Sequence, residues 1–155
     1  MPLLMLSLVV LLAVGFYFLS RGIPRPAQGP RDWGSAGADD PRMAVAAMMY
    51  AVAREDGPVT TDKEQQILSL LRSKVGLDRE TAKTCLMGGK RMARMVRGTL
   101  NSRLHQFLTP IERKCSAQER QDVIDMLYVV AGSNAERLGS VRESLGRLSS
   151  SLLQD

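Results

Sequence analysis

The stretch AVAREDGPVTTDKEQQI, Ala51 to Ile67, decides how this chain is read. An apolar run stops at Glu55, Asp56 and Gly57-Pro58, and a polar segment with Asp62 and Glu64 opens a second apolar run. Gly57 suits a tight turn, and Pro58 interrupts any helix that would run through it. Thr61 followed by Glu64 has the spacing of a capping box, in which hydroxyl and carboxylate satisfy the free N–H groups of a helix start. The stretch therefore predicts a corner between two helices. Its acids also admit a second reading. Asp56, Asp62 and Glu64 around a glycine turn are oxygen ligands of the kind a hard cation takes, although the D-x-[DN]-x-[DN]-G spacing of an EF-hand is absent. Asp62 and Glu64 have a sufficient helical role too, because acids in a first turn favour the helix dipole.

Outward from this corner the apolar periodicity is helical. Asp40 before Pro41 predicts an N-cap and first-turn pair, and Met43, Ala46, Ala47, Tyr50 and Ala51 then recur at helical spacing until about Arg54. After the corner, Ile67, Leu68, Leu71 and Val75 form an inner face that stops at Gly76. Asp78 caps a third helix running to about Gly98, with Ala82, Cys85, Leu86, Gly89, Ala93 and Val96 along one side. Gly88-Gly89 lowers helix propensity there, and its lack of side chains permits close contact between helices. Leu100, Leu104, Phe107 and Leu108 predict a short helix closed before Pro110. Ser116 with Glu119 is a second capping box, opening a helix with Val123, Ile124, Leu127, Tyr128 and Ala131 inward. After Gly132-Ser133-Asn134, the residues Leu138, Val141, Leu145, Leu148 and Leu152 repeat at 3,4,3,4 spacing. Period-2 alternation is nearly absent, so residues 40–155 are expected to form an all-α, compact multi-helix domain.

The amino-terminal part differs in kind. All 21 Lys and Arg and all 16 Asp and Glu lie at or beyond Arg21. Leu3–Leu19 is dominated by apolar residues, and a helix over residues 1–20 would reach about 30 Å, the thickness of a hydrocarbon core. Phe16, Tyr17 and Phe18 have the character of an interfacial anchor, and Arg21, Arg25 and Arg31 follow. The expectation is a single transmembrane helix over 1–20 and a Pro/Gly-rich flexible linker over 21–39. The domain would then be cytoplasmic, on a single-pass protein of the cell inner membrane. A cleaved signal peptide is the rival reading; it calls for a basic n-region and a small-residue exit, and the exit here is FYFLSRGIP. Trp33, in the linker, suits either a surface contact or simple exposure.

Composition narrows the function. The net charge of +5 suits a domain beside anionic lipid, and by itself would equally suit nucleic acid. The charges are mixed in sign and no aromatic residues interleave with them, so nucleic acid is not expected. Lys83, Lys90, Arg94 and Arg97 share one face of the third helix and are the candidate partner-binding residues; a solvated face, or pairing with Asp122, Asp125, Glu136 and Glu143, is the plainer account. Catalytic motifs, cofactor-binding loops and His/Cys clusters are missing, and the one histidine, His105, has no partner residues for metal or nucleophilic chemistry. No enzyme and no cofactor are expected. Cys85 and Cys115 form no CxxC and read as reduced thiols.

The run DPRMAVAAMMYAVAREDGPVTTDKEQQILSLL resembles the first half of a tellurite-resistance TerB-like domain, matching at Ala53, Asp56, Gly57, Val59, Glu64, Ile67 and Leu68. The likeness continues more weakly to about Leu152. An amino-terminal membrane segment before such a domain also resembles the membrane-anchored DjlA-type co-chaperones, without their J domain or HPD tripeptide. The resemblance implies a compact helical domain with an internal duplication, found in bacterial stress and membrane-associated systems, with acidic metal-binding clusters in both halves. Carried over, Asp56 and Glu64 are the metal-binding candidates of the first half. The second half departs from the pattern, with Gly132-Ser133-Asn134 where another Asp-Gly turn would stand. The expected function is a membrane-anchored, non-enzymatic interaction module with a protein partner, in an envelope or metal stress response. The alternative is a weak divalent-metal or ligand-binding stress-response protein.

Overall fold

Asp40 and Pro41 start the first helix where the sequence places it. In a computed structural model that describes residues 39–132 and 139–154, the Asp40 carboxylate accepts the Arg42 N–H at 2.9 Å, and Pro41 occupies the first turn, where its missing N–H costs nothing. The helix α1 spans Pro41–Ala53. Every residue from Ala44 to Ala53 is buried, so the one-sided stripe expected from Met43, Ala46, Ala47, Tyr50 and Ala51 is corrected to a helix covered on all sides. The cause is in its composition: after Arg42 it carries no charge, and a helix apolar all round is stable only inside.

The remaining described helices wrap this axis. They are α2 (Thr61–Ser73), α3 (Arg79–Met95), α4 (Leu100–His105), α5 (Leu108–Lys114), α6 (Ala117–Ala131) and α7 (Gly139–Leu153). Helices α2 to α6 all pack on α1, α2 also lies against α3 and α6, and α7 closes over α6 and α4. The α7 stripe is real, with Val141, Leu145, Leu148 and Leu152 buried; Leu138 lies outside the described residues.

Caps set most of the boundaries. The Ser116–Glu119 box forms in full, with the hydroxyl accepting the Glu119 N–H at 3.3 Å and the carboxylate accepting the Ser116 N–H at 2.8 Å. Asp78 accepts the N–H groups of Glu80 and Thr81, both at 3.0 Å. The Thr81 hydroxyl bond, with the backbone donors, holds the Asp78 carboxyl below its ordinary pKa. This cap contributes fully above the ordinary carboxylate pKa and weakens as pH falls through the depressed one.

Three expectations are corrected. The cap of α2 is Thr60, whose hydroxyl accepts the Lys63 N–H at 3.3 Å; Thr61 is already helical and Glu64 lies beyond the capping position. Thr60→Ala should therefore cost about 0.5–2 kcal/mol in a urea series, while Thr61→Ala stays within about 0.5. Pro110 does not close a helix but sits in the first turn of α5, among the N–H positions that have no helical acceptor. Tyr128 is 40% exposed, and Met126 and Val130 take its place in the core.

The expected transmembrane helix over 1–20 and the linker, apart from Asp39, lie outside the described residues, as does Trp33. Among the described residues no helix is long and apolar enough to cross a membrane. The most apolar, α1, has 13 residues and reaches only about 20 Å, and α3, with 17, carries six charged side chains. The expected all-α domain preceded by a transmembrane helix is accordingly corrected to the all-α domain. The membrane anchor, the membrane partner and the single-pass inner-membrane location are withdrawn with it.

Candidate functional site

The corner that opens the sequence reading is a hub of polar contacts. The chain leaves α1 through a 3-10 turn, Arg54–Asp56, and reverses at Gly57, whose N–H donates to the Arg54 carbonyl at 3.1 Å. Gly57 has φ +119°, with open space where a Cβ would stand, so backbone conformation rather than crowding calls for glycine there. Each acid that could serve a ligand is placed differently. Glu55 forms an ion pair with Arg103 of α4. Glu64 accepts from Lys90 Nζ of α3 at 2.5 Å, and that ammonium sits 5.7 Å from the centre of the Tyr50 ring. Lys63 Nζ donates to the Val130 carbonyl at 2.7 Å and Gln66 to the Val129 carbonyl at 3.3 Å, covering the last carbonyls of α6. The corner thus ties α1 and α2 to α3, α4 and α6.

This arrangement does not fit a metal. Among the described residues no group of three or more His, Cys, Asp and Glu side chains is placed to hold an ion. The Glu64 carboxylate is already neutralised by Lys90, whose charge would repel a cation at the same oxygen. Asp56 is exposed on the 3-10 turn, and Asp62 is exposed in the first turn of α2. The metal-binding alternative for the whole protein is corrected, since no metal-holding cluster is found among the described residues. These acids shape a corner.

The basic face of α3 has more to offer. Arg79, Lys83, Met87, Lys90 and Arg94 follow one another at spacings of 4, 4, 3 and 4, which places them along one side of the helix. Lys83 pairs with Glu80 at 3.2 Å on the surface, and Lys90 is held by Glu64. Arg91, Arg94 and Arg97 are exposed, with no carboxylate partner among the described residues; Arg97 lies past the end of α3. Met87 and Met95 are 68% and 73% exposed on the same helix. Asp122, Asp125 and Glu143 engage Gln118, Gln121 and Arg147 on their own helices rather than this face, and Glu136 is outside the described residues.

Two open clefts border the stripe. One, of about 400 Å³, is lined by Tyr50, Arg54, Val59, Lys90 and Arg94. The other, of about 480 Å³, is lined by Leu68, Ser69, Arg72, Arg79 and Lys83. Sequence reasoning had Lys83, Lys90, Arg94 and Arg97, and the fold adds Arg54, Arg72, Arg79 and Met87. The 4,4,3,4 spacing could have found Arg79 and Met87; Arg54 and Arg72 come from other helices and left no signal. Away from this face, His105 is exposed at the end of α4, and Cys85 and Cys115 are both buried. Burial pushes the Cys85 thiol pKa up, so it is a packing residue and not a reactive thiolate.

A family model described as "Tellurite resistance protein TerB" matches residues 42–137. The chain belongs to the TerB family. TerB-family domains are generally non-catalytic interaction modules, and this chain is no enzyme. No curated protein and no solved structure matches it significantly. The family match runs from α1 through α6 and ends before α7, which the structure packs onto α6 and α4.

Proposed function

We propose that this TerB-family chain is a non-catalytic, stress-related interaction module that docks an acidic protein partner on the exposed side of α3, with residues 40–155 as the module. One observation supports the reading above others: unpaired arginines and large exposed methionines share this helix surface. Arg and Met are enriched at protein interfaces, where the guanidinium forks onto carboxylates and the thioether adapts to apolar partners. A purely solvated face would carry the charge without the methionines. Of the four candidate residues, Lys90 has an internal duty, because its pairing with Glu64 helps hold α2 on α3. Lys83 shares its charge with Glu80 on the surface, so Arg94 and Arg97 are the ones most available to a partner.

The test is affinity capture with the purified full chain and with the Lys83→Gln/Arg94→Gln/Arg97→Gln variant, matched by circular dichroism. Acidic proteins retained by the wild type should be lost from the variant, and their retention should fall with added salt. An unchanged captured set would remove α3 as the docking face.

A further inference from the structure

The two clefts give this docking face a ruler. The reasoning here rests on the acidic-partner reading above and adds its geometry. At one end stand Arg54, Lys90 and Arg94; at the other, Arg72, Arg79 and Lys83. At each end the chain's own glutamate occupies the lysine: Glu64 holds Lys90 at 2.5 Å and Glu80 holds Lys83 at 3.2 Å. The four arginines have no carboxylate partner among the described residues. Each end therefore keeps two arginines, the side chain whose planar fork matches a carboxylate in two-point contact.

Between the ends the stripe is apolar. Met87 lies about midway between Arg79 and Arg94 with 68% of its surface exposed, and no described residue covers it. Arg79 and Arg94, the helix-borne arginines of the two ends, are fifteen residues apart, which on a helix is about 22 Å. We infer that the two clefts alongside α3 together bind an acidic helical segment of a partner protein that carries two carboxylate clusters about 22 Å apart, with an apolar residue between them resting on Met87. A single strand of nucleic acid would also meet the arginines, but it gains much of its affinity from stacking on aromatic rings. The stripe has no exposed ring: Tyr50, beside Lys90, is 4% exposed, and the exposed Tyr128 belongs to α6.

Fluorescence anisotropy with the full-length chain reads this directly. One labelled helical peptide carries two glutamate clusters about fifteen residues apart with leucine between them. A second has the same composition with the clusters fused at one end. A third has glutamine in place of glutamate, and a thymidine oligonucleotide of similar length completes the set. The spaced peptide should bind about tenfold tighter than the fused one, because the second contact becomes intramolecular once the first has formed. Arg54→Gln/Arg94→Gln and Arg72→Gln/Arg79→Gln, all at exposed positions, should each bring the spaced peptide down to the fused level. Met87→Ala should weaken the spaced peptide alone.

Equal binding of the spaced and fused peptides would overturn the two-point geometry while leaving a single acidic-docking patch in place. Absence of binding by either glutamate peptide would overturn both. Glutamine peptide binding as tightly as the glutamate one, or oligonucleotide binding tighter than the spaced peptide, would overturn the assignment of the occupant.

Discussion

Gly89→Ala is expected to destabilise the domain by about 2 kcal/mol, although alanine is the better helix former. A Cβ at Gly89 would lie 2.6 Å from the Ala47 nitrogen and 2.7 Å from the Ala46 carbonyl carbon. Both are backbone atoms of the central helix, so no side chain can swing away; α1 and α3 must separate. Overpacking of this kind costs about 1–3 kcal/mol, here at the upper end, and the helix-propensity gain of about 1 kcal/mol offsets only part of it. Gly88→Ala is the internal control. Its Cβ would meet only the end of the Met43 side chain, with Sδ at 2.9 Å, and that side chain is flexible and partly exposed. Gly88→Ala should be neutral or stabilising by up to about 1 kcal/mol. Thermal melts should separate the two variants by about 8 °C or more. If Gly89→Ala melts at or above the wild type, the close approach of α1 and α3 is not a feature of the fold.

Leu145→Ala is expected to cost about 2–5 kcal/mol, the range for deleting a buried leucine side chain and leaving a cavity. Leu145 is fully buried, in the middle of the α7 stripe between Val141 and Leu148, where α7 covers α6 and α4. The neighbouring surface supplies the comparison: Leu153, at the end of the same helix, is 41% exposed, and Leu153→Ala should stay within about 0.5 kcal/mol. Urea denaturation of both variants measures the difference. A Leu145→Ala loss below about 0.5 kcal/mol would mean that α7 does not complete the core and that the module ends with α6.

The lysine–glutamate contact across α2 and α3 bears on both stability and recognition. Both side chains are about one-third exposed, which keeps the pair's own contribution within the order of 1 kcal/mol. Its larger consequence is chemical, since it takes Lys90 and Glu64 out of service as ligands. The same two residues had been assigned to different functions, one to a metal and one to a partner. Their pairing makes them a structural clamp between α2 and α3.

The helical class and most helix starts were legible in the sequence because they depend on contacts within a few residues. Asp40, Asp78 and Ser116 act on N–H groups two or three positions away, and the α7 stripe repeats with the helix turn itself. The corner at Gly57 was legible for the same reason, as a positive φ and a proline are local events. The choice of Thr60 over Thr61 as cap was not, because either hydroxyl could serve and the packing of Ile67 and Leu71 sets the register. Pro110 was misread because a proline that ends one helix and one that begins the next look alike until the surrounding turns are placed.

Tertiary structure alone decided what the charges do. Glu64 meets Lys90 across 26 positions and Glu55 meets Arg103 across 48, and no local pattern selects those partners among the many acids and bases of the chain. The same holds for the burial of α1 on every side and for the clefts that bring Arg54 to Arg94 and Arg72 to Arg79. Propensity and capping act along the chain, so sequence determined the elements. Ion pairing and packing act through space, so only the fold decided which acids are spent on structure and which arginines stay exposed without a carboxylate.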